Sequence, residues 1–291
     1  MVPARKCDQR FCGAGQRRHA GAGGERMSAS SNRKTVQGVT LCADPAREPC
    51  FRVAQLDNEM QKFENGMSED ARRERLHRHM NNEMGALEIA AQCLADFPES
   101  PWDLRMQLAR QAFDESRHVH GLHQRLRQLG GYKGEFPIGN FEWAVTNMCD
   151  TLAARLAIQN RTFEAGQMDL LGSLRQIWRS VGDERTAEVL EHILADEINH
   201  VRFANQWIRK LVQADRRLLL KVASAVRFLA DTNSALAGET SANSGETSAE
   251  QHKKLGINVE DRRHADFSDD EINEILRQAG MSSLASAGAP A

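Results

Sequence analysis

From Ser68 to Phe97, apolar residues return at Leu76, Met80, Leu87, Ala90 and Leu94, the spacing of one helix face, with Ser68 as its cap and Pro98 as its stop. Ser100, Pro101, Trp102 and Asp103 combine a capping residue, a proline at the first helical position and an early acid. They predict a second helix to Gly130-Gly131 with Leu104, Leu108, Leu122, Leu126 and Leu129 as its seam. After a connection over 131–149, Asp150 or Thr151 caps a third helix to about Val181. Gly182-Asp183 then turns into a fourth, running to Leu211 with Leu190, Ile193, Ala204, Ile208 and Leu211 in register. A fifth helix over Arg216 to Asp231, and a short capped one from Ser268 through Glu271 to Gln278, complete the expected elements.

The remaining segments lack this period. Residues 1–66 mix Gly, Pro, Ser and Arg without periodicity and are expected to form a loose N-terminal arm, free or in part laid against the domain, without chemistry. Residues 67–231 form the helical bundle, 232–254 with the repeated Gly-Glu-Thr-Ser-Ala at 238 and 245 a polar linker, and 255–291 a short helical tail. The fold class expected is all-α: a four-helix bundle of two helical hairpins joined by a long crossover, with extra C-terminal helices.

Composition agrees with helices, since prolines number only 7 and aromatics make up 5%. A net charge of −2 supplies no field to gather nucleic acid. The most apolar stretch, Arg217 to Ala230, is broken by Lys221 and Arg227, so no membrane span is expected. Cysteines at 7, 12, 42, 50, 93 and 149 lack the close pairing of a zinc knuckle and read as reduced thiols of a cytoplasmic protein. Residues 1–26 lack the apolar core of a secretory signal, and Met27 competes with Met1 as the start.

The informative residues are polar ones on the apolar seams. Glu83 stands on the first, Glu115 and His118 on the second, Glu164 on the third, and Glu197 and His200 on the fourth. A buried carboxylate is unfavourable by several kcal/mol unless paired or coordinated, so four in one core call for cations; two divalent ions balance them, and the histidines add neutral ligands. The i, i+3 spacing of Glu115 with His118 and of Glu197 with His200 puts each pair on one helix face.

Register points the same way. Glu83 and Glu115 lie at matched distances from the Pro98–Pro101 turn, about 20 Å at the helical rise, and Glu164 and Glu197 do so around Gly182. The halves also repeat: Glu83-Met-Gly matches Glu164-Ala-Gly, each followed by an acid, Glu88 or Asp169. Asp114-Glu115-Ser-Arg117-His118-Val matches Asp196-Glu197-Ile-Asn-His200-Val. One Glu-x-x-His arises readily by chance, and Glu74 with His77 reads as such a decoy.

Over residues 68–211 these motifs resemble the ferritin-like di-iron carboxylate superfamily, and the chain looks closest to an uncharacterised bacterial ferritin-like family distantly similar to the tRNA hydroxylase family. The resemblance implies a ferritin-like bundle with Glu83, Glu115, His118, Glu164, Glu197 and His200 as metal ligands. Leu122 stands where reductase small subunits carry a radical tyrosine, which disfavours that chemistry, and no rubredoxin-type cysteine pairs are present. Asp114-Glu115-Ser-Arg117-His118 resembles the signature of bacterial di-iron monooxygenases, in which the aspartate and arginine support the ligands.

Other polar residues remain open. Glu88, about 140° round the helix from Glu83, competes as the first-helix ligand. Asp114 or Asp196 could fix the tautomer of a metal-bound histidine. His79, one turn before Glu83, reads as a capping or packing histidine rather than an extra ligand, and Asn160 as a ligand partner or a packing group. Phe136, Phe141, Trp143 and Met148 of the crossover are candidates for a pocket wall. The expected function is a non-haem oxidase or oxygenase using two irons, with manganese or a mixed pair as alternatives, to activate O₂ and oxidise a small substrate. The alternatives are a ferroxidase or peroxide scavenger, and a tRNA hydroxylase or non-catalytic metal protein. An electron donor and a homodimer are left open.

Overall fold

Ser68 caps the first long helix, accepting from the Ala71 amide, and α1 (Glu69–Asp96) ends at Phe97, ahead of Pro98. A computed structural model describes residues 32–63, 66–237 and 256–284. Helix α2 (Trp102–Gln128) starts one residue later than the sequence predicts. Pro101 occupies the cap position without a side-chain bond, while the Ser100 hydroxyl turns back to the Phe97 carbonyl. Proline has no amide to satisfy, so its position ahead of Trp102 leaves one fewer unpaired donor at this end.

The crossover carries β4 (Ile138–Gly139) and α3 (Phe141–Thr146). The third long helix is capped by Thr151 and is continuous but not uniform: α4 (Leu152–Ile158) passes through a π-helical turn, Gln159–Glu164, into α5 (Ala165–Ser180). Gly182, at φ +78°, makes the following turn, and Asp183 caps α6 (Glu184–Ala214) through the Thr186 amide. Helix α7 (Arg217–Ala237) outlasts the prediction and takes in the first residues of the expected linker. The tail holds α8 (Val259–His264), which the sequence reading missed, and α9 (Asp269–Gln278) with the Ser268–Glu271 capping box it predicted. The chain is predominantly helical, and no helix among the described residues is long and apolar enough to cross a membrane.

Two apolar layers enclose a polar one. Toward one end, Leu76, Leu122, Leu126, Met168, Leu171, Trp178 and Ile193 pack together. Toward the other, Ile89, Leu104, Leu108, Leu156 and Phe203 do so. The residues between them in each helix include the glutamates and histidines of the seams, so that polar layer is shut from water on both sides.

The expected loose arm needs correction where it is described. Strands β1 (Arg33–Val36) and β2 (Val39–Cys42) form a hairpin, turned by Gln37 and Gly38 at φ 46° and 80°. Val36 and Leu41 pack on α3, α4 and α7, and β3 (Val53–Ala54) pairs in parallel with β4. Four-residue strands carry too weak a local pattern to be read without the surface they cover. Residues 1–31, and 238–254 of the expected linker, lie outside the described residues.

The acids repeated after each glutamate act as anchors. Glu88 on α1 holds Arg47 of the N-terminal segment at 2.7 Å, and Asp169 on α5 holds Arg262 of α8 at 2.6 Å. The Asp169–Arg262 pair is buried, and Asp169 also accepts from the Asn258 amide at 2.8 Å. Removing one partner of such a pair strands the other charge, so Arg262→Ala is expected to destabilise the fold by about 3–5 kcal/mol, measured by chemical denaturation. A loss below about 1 kcal/mol would show that the tail does not contribute to the core.

Candidate metal centre

Glu83, Glu115, His118, Glu164, Glu197 and His200 are all at least 96% buried, and they meet in the polar layer. One ligand atom from each of Glu83, Glu115, His118 and Glu197 lies within 4.8 Å of the others, and the same holds for Glu115, Glu164, Glu197 and His200. Glu115 and Glu197 belong to both groups. The arrangement is therefore two adjoining nests that share two carboxylates, one from α2 and one from α6.

The histidines are oriented alike. His118 presents Nδ1 to Glu115 at 2.9 Å and to Glu83 at 3.3 Å; His200 presents Nδ1 to Glu115 at 3.2 Å and to Glu197 at 3.4 Å. Their outward Nε2 atoms face aspartates, crosswise between helices. His118 of α2 meets Asp196 of α6 at 3.1 Å, and His200 of α6 meets Asp114 of α2 at 3.4 Å. An Nε2–H donated to a carboxylate leaves the Nδ1 lone pair free for a cation. Arg117 spans both aspartates, at 2.6 Å from Asp114 and 2.8 Å from Asp196, and so ties the two outer contacts together.

Glu88 is not in the cluster, because Arg47 engages it on another face of α1. His79, which the sequence left between a packing residue and a neighbour of the site, lies 2.6 Å from Glu83 Oε1, where Gln167 also donates. Asn160 donates to Glu164 at 2.8 Å and to Gln111 at 3.1 Å, and Gln111 donates in turn to the other Glu164 oxygen. Gln111 and Gln167 were missed by the sequence reading. The available signal was position: Gln111 lies one turn before Glu115 on the same seam, and Gln167 one turn after Glu164. The π turn brings Asn160 and Glu164 onto one face.

The decoy pair stays apart from the cluster. Glu74 pairs with Arg78, and His77 accepts from the Gly134 amide at 2.9 Å in the crossover. Gly134, at φ +82°, passes so close to the Cys50 carbonyl that a Cβ would collide with it.

Electrostatics show what the cluster lacks. Burial pushes Glu197 up to about 8, with the Glu115 charge adding to it. Burial and the charge of Glu197 likewise raise Glu164 well above the carboxylate range. Burial alone would lower the histidines, but hydrogen bonds to Glu115 and Glu83 lift His118 to about 11, and the surrounding carboxylates of Asp114, Glu115 and Glu197 raise His200 well above its ordinary value. Glu83 goes the other way: its bonds to His118 and His79 outweigh burial and hold it low. Left to itself, the layer gathers protons to offset its negative charge. The contacts of His200 Nδ1 with Glu115 Oε1 and Glu197 Oε2, at 3.2 and 3.4 Å, are too poorly aligned to be hydrogen bonds, so these three buried atoms stay unsatisfied. Unpaired acceptors aimed at one point, four carboxylates and two imidazoles fit a pair of divalent cations.

A cleft of about 380 Å³ runs along the seam between α1 and α5 and reaches this layer. His79, Gln167 and Glu142 lie at its inner end. Burial, with the charge of Glu83 adding to it, pushes Glu142 up to about 7. The crossover thus contributes Glu142 to the cleft wall. Phe136, Phe141, Trp143 and Met148, the wall expected from the sequence, do not line it: Phe136 packs on Phe63 and His77, Phe141 on Phe163, the Trp143 indole bonds the Ala43 carbonyl, and Met148 meets Arg33.

These features define a helical protein whose buried carboxylate–histidine cluster could hold metal ions. Residues 14–273 match the family model described as Protein of unknown function (DUF455), and the chain belongs to that family. No match was found among the curated proteins or the solved structures.

Proposed function

We propose that this chain is a ferritin-like di-metal oxidoreductase that uses two irons to activate O₂ and oxidise a small substrate. The observation that carries the reading is the pair of nests sharing Glu115 and Glu197, each with an inward Nδ1 backed by an aspartate from the opposite helix. Carboxylate-rich sites with two imidazoles favour iron over zinc or copper, and manganese is the nearest alternative. An iron pair would supply the electrons for O₂ reduction and a Lewis-acid centre beside the cleft.

The protein's own contribution is positional and protonic. Glu83, Glu115, Glu164 and Glu197 supply the negative charge, while His118 and His200 supply neutral Nδ1 donors once their protons leave. Asp196 and Asp114 hold the imidazole rings, with Arg117 fixing both aspartates. Gln167 and His79 orient Glu83, and Asn160 and Gln111 orient Glu164. The apolar layers exclude water from the reacting volume. Glu142, at about 7, can hold or release a proton at the inner end of the cleft near neutral pH.

The test is anaerobic titration with ferrous iron, followed by admission of O₂ at an oxygen electrode. About two irons per chain and prompt O₂ uptake are expected. Absence of stoichiometric binding would overturn the metal assignment, and bound iron that does not consume O₂ would overturn the oxidase. Continued turnover of many irons per chain would assign the protein to iron oxidation instead.

A further inference from the structure

The cleft between α1 and α5 has a polarity that its contact with the cluster does not explain. At its inner end stands the carboxylate Glu142, beside His79 and Gln167, which cover Glu83; at its outer end, on the early turns of α1, stand Arg75 and Arg78. Opposite α1, Phe163 of the π turn with Leu170 and Leu174 of α5 make an apolar stretch of wall. Among the described residues the two guanidiniums share one carboxylate, Glu74, which pairs with Arg78 at 3.0 Å. Among the described residues Arg75 donates to the Gly66 carbonyl, at 2.8 Å, and no carboxylate pairs with it directly. Burial lowers Arg75 from its ordinary value and the neighbouring Arg78 adds to the shift, while burial raises Glu74 and weakens it as a counter-charge. Among the described residues the outer end therefore carries more positive than negative charge.

We propose that this cleft binds an anion bearing an apolar chain, its head group on Arg75 and Arg78 and its chain along the α5 wall toward the cluster. The orientation follows from charge: an anionic head at the inner end would face Glu142, with Glu83 close behind His79 and Gln167, whereas at the outer end it meets two arginines. Length follows from the helix. Arg75 lies eight residues before Glu83, about 12 Å at the helical rise, roughly the reach of an eight- to ten-carbon chain. A volume of about 380 Å³ lies within the range of small-molecule sites. As the substrate class of the oxidising centre the inference rests on the function proposed above; as a binding site it stands without it.

The experiment uses the full chain without added metal and compares decanoate, decyl phosphate, decanol and decyltrimethylammonium by titration calorimetry. Saturable binding of the two anions, at least about tenfold tighter than that of decanol or the cation, is expected. The tighter of the two identifies the head group. Arg75→Gln with Arg78→Gln is expected to weaken the anions about tenfold or more and leave decanol within about twofold, while lysine at both positions keeps the preference for anions. Leu170→Glu, at a partly exposed position, is expected to weaken both decanoate and decanol, so the chain's path can be tested even if the arginine variants fold poorly. Equal binding of decanoate and decanol, anion binding unchanged in the glutamine variant, or no saturable binding would overturn the proposal. Ferrous titration of the same preparation separates the two readings. Iron bound without decanoate removes the cleft proposal alone, and decanoate bound without iron removes the oxidase alone.

Discussion

Replacing Glu115 and Glu197 together by alanine is expected to take metal content from about two ions per chain to none, the largest single effect any pair of substitutions should have. Both carboxylates belong to both nests, so their loss leaves Glu83 with His118 on one side and Glu164 with His200 on the other, too few donors for either ion. At pH 7 the metal-free layer already holds protons on Glu197, His118 and His200, so the double substitution leaves two protonated imidazoles without their shared partner Glu115. The metal-free double variant is therefore expected to be less stable toward denaturant than the metal-free parent. Glu88→Gln is the matched control, because its carboxylate holds Arg47 rather than the cluster, and it should keep both metals. Elemental analysis after gel filtration checks metal content, and chemical denaturation checks stability. Retention of stoichiometric metal in the double variant would refute the shared-ligand geometry.

Metal uptake is expected to expel protons, and the stabilisation it confers should grow with pH. Without a cation, His118 at about 11, Glu197 at about 8, and the raised His200 and Glu164 all hold protons at pH 7. Cations displace them, so on the order of two to four protons per chain should appear, measured by calorimetry in buffers of different ionisation enthalpy. The sign of the stability change follows from the same groups. A raised histidine stabilises the fold fully below its unfolded value, and this contribution fades as pH climbs toward about 11. A raised glutamate likewise favours the fold most at low pH, and its contribution falls between about 4.5 and about 8. Glu83, held low, contributes above the carboxylate range and is lost only in acid. The metal-free Tm should therefore fall from pH 6 to pH 9. The loaded protein should fall less, so the gap between them widens. A gap that stays constant over this range would show that these groups do not titrate against the metal.

Much of the architecture could be read locally. The Ser68, Asp183 and Ser268 caps and the Pro98 stop act within a turn, and the seams of α2 and α6 repeat at the helical period, so these elements follow from neighbours alone. The candidate cluster was legible because its motif occurs twice, Asp114-Glu115-x-x-His118 and Asp196-Glu197-x-x-His200, and each copy is partnered by a glutamate at matched distance on an apolar face. Spacing put His79 within reach of Glu83 but left its role open, because it shows that a residue can reach a ligand, not which way its ring turns.

Other features depend on contacts between distant segments. Which aspartate backs which histidine was open in the sequence, since each acid stands beside the motif of its own helix; packing α2 against α6 exchanges them. The packing of the Arg33–Cys42 hairpin on α3, α4 and α7, the clamps Arg47–Glu88 and Arg262–Asp169, and the arrival of Glu142 at the cleft join residues tens of positions apart. Local propensity and periodicity therefore determined the helices and the polar residues that must be buried within them. Only the tertiary structure decided how those residues share charge, which helix supplies each partner, and where the seam between α1 and α5 opens. Charge pairing and cavity shape are properties of surfaces brought together, and no single helix carries them.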